Sequence, residues 1–503
     1  MNSIGIKRCS KAYNSLAVSP VQVLQDTLTA IKDLRHLNAF SYDITSDEEE
    51  ALELAAQSEK RYKQGNPLSP LDGVPISFKD NFLVKNMPST AGSKILRDFV
   101  PPIDSTMAQR CREAGAIIVG KTNMDEFGMG SFTLYSEKVP VNPINEDLVV
   151  GGSSGGAAVA TATNQGMAAF GTDTGGSVTF PANCCSVYGF KPSYGRLSRH
   201  GVILYSSSND SPGILAQNID DISSIFQVVD GEDIKDSNSL SFTEPELRTS
   251  LKGVRVGIAE EFNIEELPQE RIDEQRKVID ILQDHGAEIV EVSIPLLKQI
   301  LPIYYTIIPA EAASNLSRYD GLKYGLQHST VSSKDSKVDY QEYIQRIRTE
   351  GFGINVKRRI ALGNFVLSTQ DVDFNEMYIK AQKVRRLFCE QYNDIFEGIE
   401  SSKGLQKGVD ILLSPNAVGD IPKVSSIRSG EIDAIIGEYS QDYYTVPSNV
   451  CGAPALCLPM ADVDHLSQSE KKPAAMYKLW GKYGMDRSLL QIGKLIDKIV
   501  KNS

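Results

Sequence analysis

Several patterns that mark whole classes of protein are missing from this sequence of 503 residues. No apolar run approaches the roughly 20 residues that a membrane-spanning helix needs, so we expect no membrane segment. Seven cysteines are scattered without the spacing of a disulfide framework or a zinc site, and the five histidines are isolated from one another. We therefore expect a soluble protein of a reducing compartment, without a metal site.

Positive charge is also scarce, because 52 basic residues stand against 64 acidic ones and the net charge is −12. A surface of that sign repels phosphate, so direct binding of nucleic acid by this chain alone is not expected. The first 25 residues differ, since Lys7, Arg8 and Lys11 precede the first acid, Asp26. This bias resembles a weak transit peptide and favours a mitochondrial address over a cytoplasmic one. A plain first helix beginning near Pro20 explains the segment equally well.

Apolar runs and helical patterns alternate along the chain. Residues 20–65 are expected to be helical, with Ser46 and Glu49 as a capping box. The polar stretch 329–350 is predicted to be a surface connection. The alternation predicts strands at 73–80, 116–119, 254–258, 287–292 and 409–413, and helices at 105–114, 267–286, 376–397 and 485–501. This order indicates one large α/β domain, residues 26–503, with a sheet covered by helices on both faces.

Two clusters of glycine and serine are the candidates for chemistry. Gly151-Gly-Ser-Ser-Gly-Gly156 precedes a run of small residues and is expected to open a tightly packed helix. In Phe170-Gly-Thr-Asp-Thr-Gly-Gly-Ser-Val178 an apolar strand ends in a glycine turn that presents Ser177. Glycines allow consecutive backbone amides to converge on one point, as an oxyanion hole requires.

Simpler interpretations compete with this one. Each cluster alone is typical of an ordinary turn. A phosphate loop lacks support, because neither cluster has the GxxxxGK[ST] pattern or a GxGxxG with its ribose-binding acid. A nucleophile elbow needs GxSxG, which Ser177 does not have, and a histidine partner. His200 follows Ser177 by 23 residues and is the alternative base.

Taken together, the motifs resemble those of the amidase signature family. The two clusters stand in the family's order, and Gly73-Val-Pro-Ile-Ser-Phe-Lys79-Asp-Asn81 is similar to its lysine element. Gly120–Ser131 and Gly189–Ser198 match further family stretches, with a signature core of about 70–200. The resemblance implies a single domain built on a large mixed sheet with helices on both faces. Val178-Thr179 departs from the family's usual Ile-Arg.

The resemblance also implies the catalytic groups. Ser177 is expected to attack and Ser153, whose peptide bond the family holds in cis, to relay its proton. Neutral Lys79 is expected to act as the final base. An oxyanion hole is implied for the amides of Thr174, Gly175 and Gly176. The pKa of an unperturbed lysine is about 10.4, and it must fall to about 7 for the side chain to serve as a base at neutral pH. Burial under the apolar residues of its strand is the expected cause, with Asp80 on the opposite face.

Within the family the chain is similar to the A subunits of glutamyl-tRNA(Gln) amidotransferases. That branch implies glutamine as the substrate, with Arg359, aided by Tyr304, on its carboxylate and Asp442 on its ammonium. Arg358 is an alternative to Arg359, because Lys357-Arg358-Arg359 is also typical of a solvated basic face.

The same branch implies B and C type partner subunits. A partner would use ATP and Mg²⁺ and hold the tRNA, while this chain would need no cofactor. Three other functions stay open: a free-standing amidase acting on another carboxamide, a non-catalytic structural subunit, and a nucleotide-binding module that uses the Gly-Ser loop.

Overall fold

The computed structural model describes residues 5–327, 339–368, 372–401, 404–406, 408–428, 439–459 and 473–501. An eleven-stranded mixed sheet runs through it in the order β1-β3-β2-β4-β6-β5-β12-β13-β11-β7-β8, and a two-stranded ribbon pairs β9 with β10. The strands are β1 Phe40–Asp43, β2 Pro75–Lys79, β3 Ile117–Thr122, β4 Ala168–Asp173, β5 Tyr188–Lys191, β6 Ser211–Ala216, β7 Arg255–Ala259, β8 Glu288–Val292, β9 Ile399–Ser401, β10 Gly404–Gln406, β11 Ile411–Pro415, β12 Ala455–Pro459 and β13 Met476–Gly481.

Fifteen α-helices surround the sheet within the described ranges. They are α1 Ile6–Asn14, α2 Pro20–Asp33, α3 Glu49–Lys63, α4 Thr106–Glu113, α5 Gly155–Ala162, α6 Thr179–Cys184, α7 Ile219–Val229, α8 Gln269–Asp284, α9 Ile300–Leu316, α10 Tyr340–Gly351, α11 Ile354–Val366, α12 Val372–Glu397, α13 Val424–Arg428, α14 Pro447–Val450 and α15 Asp486–Val500. None of the described helices combines the length and apolar character needed to cross a membrane.

Successive residues of the central strands enter different cores, because side chains alternate across a sheet. Phe170 of β4 belongs to a core that also includes residues of helices α4, α7, α8 and α15, whereas its neighbour Ala169 belongs to a second core with residues of α5. In β11, Leu413 joins the first core and Leu412 joins a third core formed with α9 and α12. The sheet is therefore covered by helices on both faces, as predicted, and most of the predicted strands and helices are confirmed.

The pairing inside the sheet puts two parallel strands beside β2. Strands β3 and β4 both run parallel to it, and β4 then pairs antiparallel with β6. Parallel strands end at the same edge of a sheet. The carboxyl ends of β2 and β4, where Lys79 and the second glycine cluster lie, are therefore neighbours.

Two predictions about local structure were wrong. Residues 20–65 are not helical throughout, because Phe40–Asp43 forms β1 and pairs antiparallel with Gly120–Thr122 of β3. Tertiary pairing outweighs the local helical pattern there. Ser46 and Glu49 do not form a capping box: Ser46 ends a short turn, and α3 begins after Glu48 without a side-chain cap.

The predicted surface connection at 329–350 lies partly outside the described residues. From residue 340 onward it is the helix α10, capped by Asp339, whose carboxylate accepts a hydrogen bond from the Gln341 amide. Its buried Tyr343 and Ile347 pack against the core beside α9, so this part of the prediction was also wrong.

At the N-terminus, α1 packs into the fold. Ile6, Cys9 and Tyr13 are buried, and the Tyr13 ring meets the Tyr62 ring edge-on at 5.1 Å between centroids. The carboxylate of Asp221 in α7 lies beside the start of α1, where the amides of Ile6 and Lys7 oppose the rise in its pKa that burial causes. The segment is therefore helical from residue 6, earlier than the start near Pro20 that the sequence suggested.

Candidate active site

Lys79 is the last residue of β2 and is fully buried. The strand is flanked by β3 and β4, and the Phe78 ring stacks on Phe170 of β4 at 4.6 Å between centroids. The next residue, Asp80, turns to the opposite side and pairs with the buried Lys121 at 3.2 Å. Asp80 therefore does not pair with Lys79. This agrees with the prediction that the two side chains lie on opposite faces of the strand.

The Nζ atom of Lys79 joins the two glycine-serine clusters. It donates to Ser153 Oγ at 2.7 Å, to Ser154 Oγ at 2.9 Å and to the Thr172 carbonyl at 3.3 Å. Burial lowers the pKa of Lys79 to about 7, and more distant carboxylates, Asp125 foremost, oppose that shift only partly. A pKa in this range allows the neutral form to be populated near neutral pH, as a proton acceptor needs.

The first cluster turns sharply over a buried carboxylate. The peptide bond between Gly152 and Ser153 is cis, and α5 begins two residues after Ser153. Beneath it, Asp125 accepts hydrogen bonds from the amides of Thr133 at 2.8 Å and Tyr135 at 3.2 Å. A side chain on Gly152 would bring its Cβ within 2.4 Å of Asp125 Oδ2, so only glycine fits here.

The second cluster is organised by Asp173, the last residue of β4. Its carboxylate accepts from the amides of Gly176 at 2.7 Å and Val178 at 2.7 Å, and from the Asn449 side chain at 2.9 Å. The turn is also tied down by the Thr445 hydroxyl, which donates to the Gly175 carbonyl at 2.7 Å. These four hydrogen bonds fix the backbone that presents Ser177.

This arrangement corrects one expectation. The Gly176 amide donates to Asp173 instead of facing a substrate oxygen, because a carboxylate is the stronger acceptor at short range. The amides of Thr174, Gly175 and Ser177 have no acceptor among the described residues. Of the predicted amides, those of Thr174 and Gly175 are thus unoccupied by the described residues, as is that of Ser177, whereas that of Gly176 is engaged by Asp173.

A small cleft lies in front of Ser177 and brings the predicted substrate residues to it. It is lined by Gly128, Gly130, Ser131, Gly152, Gly175, Gly176, Ser177, Phe180, Tyr205, Tyr304, Arg359 and Asp442. Arg358 is not part of the lining, and its side chain is more exposed to solvent. His200 lies elsewhere, with its Nδ1 at 3.4 Å from the Thr106 hydroxyl. The structure thus favours Arg359 over Arg358 and places His200 outside the site.

Arg359 presents a buried hydrogen-bond donor to this cleft. Its Nη1 is buried, and none of the described residues accepts a hydrogen bond from it. The guanidinium lies over the Tyr305 ring at 5.8 Å from the centroid, and the Tyr305 hydroxyl donates to Asp442. The cleft therefore holds a positive and a negative group, bridged on one side by an aromatic ring.

Several residues of this site were missed by the sequence analysis. Ser154 contacts the same lysine as Ser153, Asp173 organises the turn that presents Ser177, and Tyr305 contacts both charged groups. Tyr304, which was predicted to assist Arg359, lines the same cleft, and its hydroxyl lies 3.5 Å from that of Tyr205. Asp173 had a signal, since it is the only acid inside the second glycine cluster.

With the geometry described, the chain can be compared with known proteins. The model of the family described as "Amidase" matches residues 23–490. The chain belongs to the amidase family. This amidase is 38% identical over 504 residues to the A subunit of the mitochondrial glutamyl-tRNA(Gln) amidotransferase of Anopheles gambiae, with 98% of this chain and 96% of the relative covered. It is 36% identical over 500 residues to the A subunit of the glutamyl-tRNA(Gln) amidotransferase of Persephonella marina, with the same shares covered. The predicted family is confirmed.

Solved structures agree on the fold of this amidase. The A subunit of the glutamyl-tRNA(Gln) amidotransferase from Thermotoga maritima superposes with a TM-score of 0.68 at 30% identity, covering 86% of this chain and 84% of its own. The crystal structure of another amidase superposes with a TM-score of 0.77 at 26% identity, over 98% of this chain and 99% of its own. The large mixed sheet with helices on both faces is therefore the family fold.

Proposed function

We propose that this amidase is the glutamine-hydrolysing component of a glutamyl-tRNA(Gln) amidotransferase. It would split the side-chain carboxamide of glutamine and release ammonia. The observation that carries this proposal is the pairing of Arg359 and Asp442 in the cleft in front of Ser177. Free glutamine has a carboxylate and an ammonium group, and this cleft offers a partner of opposite charge for each. The relatives named as A subunits, at 36–38% identity, support the same substrate.

In the proposed reaction, Ser177 Oγ attacks the carboxamide carbon and its proton passes to Ser153, whose own proton passes to Lys79 Nζ. Collapse of the tetrahedral intermediate breaks the C–N bond, and the relay returns the proton to the departing nitrogen, which leaves as ammonia. Water then hydrolyses the glutamyl ester on Ser177 by the same relay. The buried, partly neutral lysine at 2.7 Å from Ser153 supports this order of transfers.

Negative charge develops on the carbonyl oxygen during both steps. The uncommitted amides of Thr174, Gly175 and Ser177 are the donors that we assign to it, while Asp173 holds the turn in place through Gly176 and Val178. Because Asp173 and Thr445 fix this backbone before substrate arrives, little reorganisation is needed during the reaction.

The ammonia would be used by a partner, not by this chain. We propose B and C type subunits, of which one binds ATP and Mg²⁺ and holds the misacylated tRNA while Glu is converted to Gln. The acidic composition of this chain supports leaving the tRNA to a partner. We place the complex in the mitochondrial matrix, as the basic N-terminus and the relatives named as mitochondrial suggest, with the cytoplasm as the alternative.

A free-standing amidase is the second candidate, since the fold also matches an amidase of unstated substrate at a TM-score of 0.77. Fold likeness does not separate the two, but the charged pair in the cleft does. An amidase for neutral amides has no use for a buried arginine donor and a carboxylate beside its nucleophile. The structural and nucleotide-binding alternatives receive less support, because the lysine and the serines are assembled and the Gly-Ser loop is part of that assembly.

The choice of substrate is tested by the two neighbouring arginines. Arg359→Ala should lower kcat/KM for glutamine by about 10- to 100-fold, mainly by raising KM. This is the effect expected from losing one hydrogen bond to a charged group. Arg358→Ala is the matched control, because its side chain lies outside the cleft, and it should change kcat/KM less than about twofold. Steady-state ammonia release gives both constants. Equal effects of the two changes would refute the assignment of glutamine to this cleft.

A further inference from the structure

Glu126 is a buried carboxylate that lies outside the cleft and has no part in the proton relay. It is 5% exposed and precedes Phe127 and Gly128, in the loop that lines one side of the cleft. Its Oε1 accepts a hydrogen bond from the Ser93 hydroxyl at 2.5 Å, and its Oε2 accepts from the Gly353 amide at 2.7 Å. Burying a carboxylate is costly unless it is hydrogen-bonded, and these two hydrogen bonds offset part of that cost.

Gly353 is the N-cap residue immediately before α11, and α11 contains Arg359. The amides at a helix N-terminus are unpaired and favour a negative group, so Glu126 caps this helix from a distant part of the chain. Arg359 follows Gly353 by six residues, about 9 Å along the helix axis. The position of the cap therefore fixes how far Arg359 reaches into the cleft.

A second contact joins the same loop to the same helix. Asn355 is buried, and its side-chain amide donates to the Met129 carbonyl at 3.1 Å. The Phe127 ring also packs edge-on against Phe352, at 5.8 Å between centroids. Three residues of the cleft-lining loop thus contact residues 352–355, so the loop and the start of α11 are held as one unit.

At its other end, α11 is held against α9. A Cβ atom on Gly363 would lie 1.9 Å from the Pro309 carbonyl, so the two helices touch backbone to backbone. Tyr304 and Tyr305 belong to α9. With this end fixed and packed, the Glu126 cap, together with the Asn355 and Phe127 contacts, sets the height of α11 relative to the catalytic loops.

We propose that Glu126 is a positioning residue for glutamine recognition, which acts through α11 by placing the guanidinium of Arg359. This inference rests on the proposed function. It assigns to Glu126 an effect on substrate binding and none on the chemistry at Ser177. The carboxylate of glutamine is bound equally in the ground and transition states, so losing its partner's position should raise KM and leave kcat nearly unchanged.

The test compares three changes in the assembled enzyme, with ammonia release from glutamine as the readout. Glu126→Ala should raise KM by about tenfold or more while kcat stays within about threefold. Glu126→Gln should restore most of the affinity, because its amide oxygen still accepts from Gly353 and its nitrogen can donate to the Ser93 hydroxyl. Asn355→Ala should raise KM in the same direction, and it keeps the test open if Glu126→Ala does not fold.

Glu261 provides a matched control for the loss of a buried glutamate. It is 8% exposed, and its carboxylate accepts from the Ser293 hydroxyl at 2.7 Å and from the Ile294 amide at 2.8 Å. It therefore makes the same two kinds of bond as Glu126, but neither bond is to α11. Glu261→Ala should lower the unfolding midpoint about as much as Glu126→Ala and leave KM for glutamine within about twofold.

A double-mutant cycle separates positioning from general damage. On the Arg359→Ala background, Glu126→Ala should have no further effect on KM, because the group that it positions is gone. Additive losses, or a fall in kcat with KM unchanged, would overturn the inference. If the unmodified enzyme releases no ammonia from glutamine, the proposed function fails instead, and the two failures are thus distinguishable.

Discussion

Lys79 is held in its site by neutral groups. Its hydrogen-bond partners are two serine hydroxyls and one carbonyl, and the carboxylates that raise its pKa act from a greater distance. Burial therefore prevails over the attraction of Asp125, Asp173 and Asp210, and the pKa is lowered to about 7. The side chain is poised between proton acceptor and proton donor at the pH of the cell, as a group that both takes and returns a proton must be.

This pKa predicts the pH dependence of the reaction. Protonated Lys79 cannot accept the proton of Ser153, so kcat/KM for glutamine should fall as the pH drops through about 7 and approach a plateau above about pH 8. Initial rates of ammonia release between about pH 5.5 and 9 give the profile. A rate that stays constant across this range would show that Lys79 is not the base.

The sequence indicated Lys79, Ser153 and Ser177 because each lies in a short continuous motif that resembles one of the amidase signature family. It named Tyr304 beside Arg359 and did not predict that the Tyr305 ring would also lie against the guanidinium. Neighbouring residues of a helix point about 100° apart, so the choice depends on how α9 is rotated against the sheet. The same limit applied to Gly176, whose amide could be assigned to Asp173 only once the turn was folded.

Among the elements, α1 changes the account of the N-terminus. The basic residues that suggested a transit segment lie on a helix whose other side is packed against α3 and α7. Removing residues 1–25 would take away α1 and the first part of α2, and would expose Tyr62 and Asp221. We therefore expect residues 6–25 to contribute to the stability of the fold.

The packing of α1 can be measured by one substitution. Tyr13→Ala should lower the free energy of unfolding by about 3–5 kcal/mol, as for other large aromatic residues, because its ring is fully buried against Tyr62. Leu16→Ala is the control, since that side chain is 59% exposed and should change the value by less than about 0.5 kcal/mol. Equal, small effects in urea unfolding would mean that α1 is only loosely attached.

The short strand β1 interrupts the helix that was predicted over residues 20–65, and its length explains why the sequence did not reveal it. Phe40–Asp43 lies between helical patterns and has four residues, too few for a period-2 signal to emerge. Its partner Gly120–Thr122 is about 80 residues away along the chain. The longer apolar strands, such as β2 and β4, are easier to predict because both of their faces are buried.

On the scale of the whole molecule, distant segments converge on one edge of the sheet. The carboxyl ends of β2 and β4 supply Lys79 and the turn that presents Ser177, and α9, α11 and the segment before α14 supply the residues that we assign to glutamine. The sequence order of these parts could be predicted from the family motifs. Their convergence was implied by the resemblance, but spacing along the chain alone could not show it, because β2 and β4 become neighbours only through the strand order of the sheet.

The division of labour with a partner predicts how tRNA binds. With a net charge of −12, the isolated chain should retain little tRNA in a filter-binding assay at physiological salt, whereas the assembled complex should bind it well. Raising the salt concentration should weaken binding by the complex, as expected for phosphate contacts. If the chain alone binds tRNA as tightly as the complex, the tRNA site does not belong to the partner.

The central claim is that ammonia made at Ser177 from glutamine supplies a separate synthetic site. Its most direct test is Gln-tRNA formation by the complex containing Ser177→Ala, with glutamine or with ammonium chloride as the nitrogen source. We expect the rate with glutamine to fall by about three orders of magnitude or more, as for the loss of other catalytic nucleophiles, and the rate with ammonium to match the unmodified complex. Near-normal synthesis from glutamine, or loss of synthesis with both sources, would contradict the account.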